Sequence, residues 1–242
     1  MTRIISPPPF VEKFQYKDCV QVNDPITKKR TYLTPEGESL PSVTTILSAT
    51  KDMTALNKWK DRVGHDNAAQ IAKEASAVGT CMHENLERFV CGMERKPGNN
   101  PIHLKAHAMA DKIIENGLKN IDEIWIIEQS LYYSGLYAGS TDGVGTYHGN
   151  PTIFDYKQTN RPKTNPKYVE DYFLQLCAYA ISHNFLHGTD IREGHIFMCS
   201  RGDDPLRVGG EVYQQFDLWP EDFDRYSDMW LERVETYYKL HG

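Results

Sequence analysis

In the stretch "AGSTDGVGTYHGNPTIFDYKQT", residues 138–159, an acidic residue stands inside a glycine-rich run, and a second follows an apolar pair. Asp155 and Lys157 come straight after Ile153 and Phe154 and are two positions apart, so in a strand they share one face. Burying a carboxylate and an ammonium is costly unless they pair or hold a metal. If Gly149 and Asn150 are the central residues of a tight hairpin, Asp142 faces Lys157, and Asp155 lies one diagonal step away, opposite Val144. Diagonal neighbours on one face are about 7–8 Å apart. Two carboxylates at that spacing can converge on one divalent cation, with the ammonium beside it. Hard oxygen ligands of this kind suit Mg²⁺ or Mn²⁺. A cross-strand Asp–Lys salt bridge with a spare Asp at a strand end is the structural alternative.

Other residue types extend this chemistry. Glu128 closes the strand-like "WIIE", either as a further ligand or as a solvated strand end. His83, in "GTCMHENLE", is a site residue, or else a capped or core histidine. Gln175 and Tyr179 are four apart and share a helix face, as site residues or as a boundary residue beside a core tyrosine.

The elements that must position these groups are legible in the hydrophobic periods. Residues 13–41 read as short strands and turns, punctuated by Asp24-Pro25, Pro35 and Gly37. Ser42 begins a helix over "VTTIL". Residues 54–93 are helical, with Leu56, Trp59, Val63, Ile71, Ala75, Val78, Met82, Leu86, Phe89 and Val90 as apolar positions and breaks expected at Gly64 and Gly79. A helix over 101–118 follows, with Leu104, Ala108, Met109, Ile113 and Ile114 apolar. Three strand-like runs come next, then a helix over 166–185 and a strand pair in "HIFMCS" and "GEVYQQFDL". A closing helix carries Phe223, Tyr226, Trp230, Val234 and Tyr237 on one face. This order predicts an α/β sandwich around a mixed sheet. It reads as one domain, 1–242, divided into 1–41, 42–118, a sheet region 119–217 with one helix, and a terminal helix 219–242.

Composition narrows the function classes. The chain has 242 residues, 40% hydrophobic and 25% charged, as ordinary globular proteins do. No apolar run reaches the length of a membrane span, and "MTRIISPPPF" lacks a signal-peptide core, so an intracellular, cytoplasmic protein is expected, in host cytoplasm if viral. Five scattered cysteines without a CxxC pair argue against zinc or iron–sulfur binding. A net charge of −6 argues against a basic coat protein but allows a local basic grip on nucleic acid.

"GTCMHENLE", Glu128, "AGSTDGVG", "IFDYKQT" and "QLCAYA" fall in an order that resembles the PD-(D/E)XK nuclease superfamily, RecB-type branch. "LPSVTTIL", Trp59 and "DYKQTNRPK" bring the pattern nearest to the mitochondrial genome maintenance exonuclease family and its tailed-phage relatives. The resemblance covers roughly residues 31–185. It implies a restriction-endonuclease-like core with an N-terminal helical elaboration. It also implies a Mg²⁺- or Mn²⁺-dependent exonuclease on DNA, with the strand threading through a helical passage. By the same resemblance Asp142, Asp155 and the carbonyl of Tyr156 are metal ligands, His83 lies nearby, Lys157 is the catalytic lysine, and Gln175 and Tyr179 stand beside it.

Single-stranded DNA with a free end is the expected partner, with no membrane and a monomeric chain. Ser42, Thr44 and Thr45 at a helix start bind a phosphate or simply cap. Arg161, Lys163 and Lys167 supply positive charge along the DNA backbone or form a solvated loop. Two rivals remain open here: a structure- or site-specific endonuclease of the same fold, and a non-catalytic nucleic-acid-binding module.

Overall fold

A computed structural model describes residues 5–23 and 30–241. The expected Asp24-Pro25 turn lies outside the described residues. Strands β1 (Val20–Asn23), β2 (Arg30–Leu33) and β3 (Ser39–Pro41) form a small antiparallel sheet. Four helices follow: α1 (Val43–Ala49), α2 (Thr54–Val63), α3 (His65–Val90) and α4 (Pro101–Asn116). Then come β4 (Ile121–Tyr133), β5 (Tyr137–Tyr147), β6 (Asn150–Thr159), α5 (Glu170–His187), β7 (Glu193–Ser200), β8 (Val212–Leu218) and α6 (Pro220–His241). The central sheet has the order β4-β5-β6-β7-β8. Only β6 and β7 run parallel, and α5 supplies the crossover that a parallel pair requires.

Strand alternation sends β6 to two cores. Ile153 joins α1, α5 and α6 on one face, while Phe154 and Tyr156 join α3 and α4 on the other. Asp155 and Lys157 share the parity of Ile153, so β6 presents them on the α5 face. The result is the expected mixed sheet flanked by helices. Among the described residues no helix is long and apolar enough to cross a membrane.

Several elements depart from the sequence reading, each for a local reason. The hairpin turn is His148-Gly149, not Gly149-Asn150. Both residues have positive φ, 48° and 84°, as a two-residue type I′ turn demands, and Tyr147 and Asn150 close it. The register therefore moves by two, and Asp142 stands across from Asp155 rather than Lys157. A shift of two keeps every side chain on its face, so the charged groups still meet.

Gly64, at φ 85°, ends α2, but Gly79 lies inside a continuous α3 of 26 residues. Val78, Met82, Leu86 and Val90 bury a stripe against α4 that carries the helix through this glycine. In α4 the buried stripe is Ala106, Met109, Ala110, Ile113 and Ile114; Leu104 is exposed. The next residue, Lys105, is buried instead, paired with Glu211 at 2.6 Å. No residue of α2 is buried, so Leu56, Trp59 and Val63 do not serve the core as their spacing predicted.

Candidate metal and nuclease site

The site forms where β5 parts from β6. Pairing between them runs up to Gly143 and Phe154. Beyond it the Asp142 carboxylate takes the place of a ladder carbonyl, its Oδ2 accepting the Tyr156 N–H at 2.6 Å. The Phe154 ring lies over Gly143, where a Cβ would come within 2.1 Å of the ring carbon Cζ. Glycine beside Asp142 thus lets the two strands and the ring pack closely. Asp155 is 2% exposed, and its Oδ2 is ion-paired with the Lys157 ammonium. The Lys157 Nζ also lies 5.3 Å from the centre of the Tyr172 ring.

From α3, His83 reaches both strands. Its Nε2 sits 3.1 Å from the Tyr156 carbonyl and its Nδ1 3.5 Å from Asp142 Oδ1. A carbonyl only accepts, so Nε2 carries a proton; with Nδ1 facing a carboxylate, both nitrogens can donate as imidazolium. Burial opposes that charge, but Asp142, and more weakly Asp155, outweigh it and raise the His83 pKa to about 9. Burial also pushes Asp142 up, yet the His83 charge and hydrogen bond, with Lys157, hold its carboxyl below the ordinary range. Asp155 goes the other way, to about 6, because burial and the neighbouring Asp142 charge outweigh Lys157. Lys157 stays an ammonium: burial would lower its pKa, but Asp155 and Asp142 raise it. Two adjacent carboxylates thus have their affinities for protons pushed apart, one held down by His83 and the other raised by burial and its neighbour.

Glu128 lies mid-strand, not at a strand end. It falls between the pairs Ile127–Gly143 and Gln129–Thr141, directly across from Asp142. Its φ of 49° is a strained value for a non-glycine residue in a strand, and it redirects the side chain. Desolvation in the surrounding depression, then Asp142, push its pKa up to about 7, although water still reaches the side chain. Donor atoms of His83, Glu128 and Asp142 lie within 4.8 Å of one another. Thr80, Glu84 and Glu87 of α3 complete the acidic depression in front of them.

These residues fit a divalent cation. Apart from the ion-paired lysine, Asp155 Oδ2 has no hydrogen-bond donor among the described residues, although it is buried. The cluster supplies hard carboxylate oxygens with no sulfur among them, a set suited to Mg²⁺ or Mn²⁺, and His83 can add a nitrogen ligand only by giving up a ring proton.

The remaining candidates divide into those beside the cluster and those apart from it. Gln175 and Tyr179 are buried on α5, the amide Nε2 donating to the tyrosine hydroxyl at 3.0 Å. Burial raises the Tyr179 pKa, with the charges of Asp155 and Asp142 adding to it, and the Tyr179 ring packs against Gly139 of β5, three residues before Asp142. Arg161 and Lys163 line a cleft of about 760 Å³ that continues from the end of β6 and includes Trp59. Lys167 is exposed outside that lining. Phe89 packs against the α3–α4 core.

Ser42 caps α1, accepting the Thr45 N–H at 3.0 Å, and its Oγ also meets the hydroxyls of Thr44 and Thr45. Thr45 further donates to the Arg30 carbonyl. These three hydroxyls are engaged as a cap engages them, and α1 has only seven residues. Sequence reasoning missed the strain at Glu128, which has no local signal. It also missed Arg201, whose signal was a charge ending the apolar run "HIFMCS".

No protein-family model matches the chain. It is 26% identical over 211 residues to mitochondrial genome maintenance exonuclease 1 of Mus musculus, covering 82% of this chain and 59% of the relative. With the Homo sapiens protein of that name the identity is 25% over 211 residues, covering 82% and 58%. The chain thus spans a little under three fifths of the length of the curated relatives it matches. Among solved structures it is similar to a protein from Eubacterium rectale, with TM-score 0.46, 12% identity, and coverage of 67% of this chain and 64% of that one. It is also similar to an alkaline exonuclease from Laribacter hongkongensis, with TM-score 0.30, 16% identity, and coverage of 66% and 80%. The mixed sheet and the ordered acidic motifs resemble the PD-(D/E)XK nucleases. Within that class, the chain is similar in sequence to the mitochondrial genome maintenance exonucleases.

Proposed function

We propose that the chain is a divalent-metal-dependent DNA exonuclease that degrades single strands from a free end. The observation that carries this reading is the meeting of Asp142, Asp155, Lys157 and His83 at the point where β5 and β6 part. Asp142, Asp155 and the Tyr156 carbonyl, with His83 and Glu128 beside them, would hold Mg²⁺ or Mn²⁺, which supplies Lewis acidity toward the phosphate and toward a bound water.

The chain's own groups do the rest. Lys157, kept charged by two carboxylates, donates to the attacking water or to a non-bridging phosphate oxygen as negative charge grows there. His83 fixes the Tyr156 carbonyl and the Asp142 carboxylate in one orientation. The Gln175–Tyr179 pair closes the α5 side of the site. Arg161 and Lys163 line a cleft at the end of the strand that carries Asp155 and Lys157, placed to guide a polyanion past it. A cleft for one flexible strand demands fewer phosphate contacts than a duplex grip, in keeping with a net charge of −6.

The test compares linear with closed circular single-stranded DNA, in Mg²⁺ and in EDTA. Digestion of the linear strand alone, and only with metal, is the expected result. Cutting of circles at a comparable rate would replace this reading with an endonuclease of the same fold.

A further inference from the structure

Arg201 follows β7 and lines the floor of the cleft beside the site, yet it is only 2% exposed. A guanidinium keeps its charge at any working pH, so burying it calls for an anion. Among the described residues Arg201 forms no salt bridge. Its Nε and Nη2 both point at one neutral atom, Asn160 Oδ1, at 3.1 and 2.5 Å, and its Nη1 has no partner. Two donors of the fork, the pair that would grip a phosphate bidentately, are therefore taken by an amide oxygen on an exposed loop residue.

The surroundings are built for a ligand. The Arg201 backbone N–H donates to the Thr159 carbonyl at 2.9 Å, joining this residue to the end of the strand that carries Lys157. Gln214 of β8 grips Lys163 by both backbone groups, at 2.7 and 2.8 Å, which holds the 160–163 loop in place. Arg62, Arg161 and Lys163 line the same cleft, against Glu74 and Asp203 as its acidic members. Trp59 and Val63 of α2, which bury nothing in the core, form part of the wall.

We infer that Arg201 is the anchor of a backbone-phosphate subsite for a nucleotide flanking the scissile one, and that Asn160 is a placeholder the phosphate displaces. The inference rests on the exonuclease reading above and adds to it the residue that holds the strand. An indole on the wall offers a stacking surface for the attached base.

The experiment measures binding of a phosphorothioate-linked single-stranded oligothymidylate to the whole chain in EDTA, across salt concentrations. For Arg201→Gln we expect affinity to fall about tenfold or more, as for a lost charged hydrogen bond. The slope of log affinity against log salt should flatten by about 0.7, one single-strand phosphate. In a separate assay with an unmodified strand and Mg²⁺, the single-turnover rate at saturating strand should fall far less than the affinity does, because uniform binding is what was removed. Wild-type affinity and slope in folded Arg201→Gln would overturn the inference.

Asn160→Ala covers the case in which Arg201→Gln does not fold. Removing the placeholder should lower the melting temperature of the free protein and enlarge the upward shift produced by the strand. An equal loss with and without strand would mark Asn160 and Arg201 as a structural pair only. A wild-type chain that neither binds nor cleaves single strands would instead refute the exonuclease reading itself.

Discussion

Replacing Lys157 with methionine removes the cation that, among the described residues, pairs with Asp155, while keeping most of the side chain's bulk. Breaking a buried ion pair by deleting one partner ordinarily costs about 3–5 kcal/mol, because a bare charge remains. Here the remaining group can neutralise itself. Asp155 is already pushed up to about 6 by burial and by Asp142 with the lysine in place, so without it the carboxyl takes a proton near neutral pH. The stability loss should therefore fall below that range, and Asp155→Asn with Lys157→Met should recover most of it. Activity should not recover.

A lost acid–base or electrostatic group slows chemistry by about 10² to 10⁴, which is about 3–5 kcal/mol of barrier. The assay is single-turnover cleavage of an end-labelled single strand at saturating enzyme, with strand affinity read separately by fluorescence anisotropy. Binding should change little, since the proposed phosphate contacts are those lining the cleft. A rate loss of less than about tenfold, well short of the expected range, would reduce Lys157 to a counterion of Asp155.

Asp155→Asn should abolish cleavage and weaken Mg²⁺ binding measured by calorimetry; an unchanged Mg²⁺ affinity would remove Asp155 from the ligand set. Gly143→Ala puts a methyl 2.1 Å from the Phe154 ring, and should cost at least about 1–3 kcal/mol in a denaturant titration, as overpacking does; a stability equal to wild type would mean that the ring moves freely. His183 is buried between Tyr16 and Thr189, and burial, with His187 beside it, pushes its pKa down to about 3. The unfolded chain accepts a proton near pH 6.5 that the folded chain refuses, so this contribution is intact above that pH and is lost as pH falls toward 3. At pH 5 the loss is about 2 kcal/mol. Denaturant titrations at pH 7.5 and 5 should show it, and His183→Asn should reduce the difference; an unaltered difference would contradict the assignment.

Much of this protein was legible in one dimension because its determinants are local. Period-2 alternation placed Asp155 and Lys157 on one face opposite Phe154 and Tyr156, and no error of turn assignment could separate them, since the true register differs by two. Serine before "VTTIL" capped a helix for the same local reason, an N–H left over at a helix start. What the tertiary structure decided is whatever depends on partners distant in the chain. Gly79 stays helical because α4 packs against that stretch. Leu104 yields its expected place to Lys105 because Glu211, 106 residues away, pairs with it. Glu128 turns toward Asp142 through a strained φ that no propensity encodes. The division between Asp142 and Asp155, one proton affinity held down and the other raised, comes from which of them His83 reaches, a contact between residues 59 positions apart that only the folded sheet and α3 create.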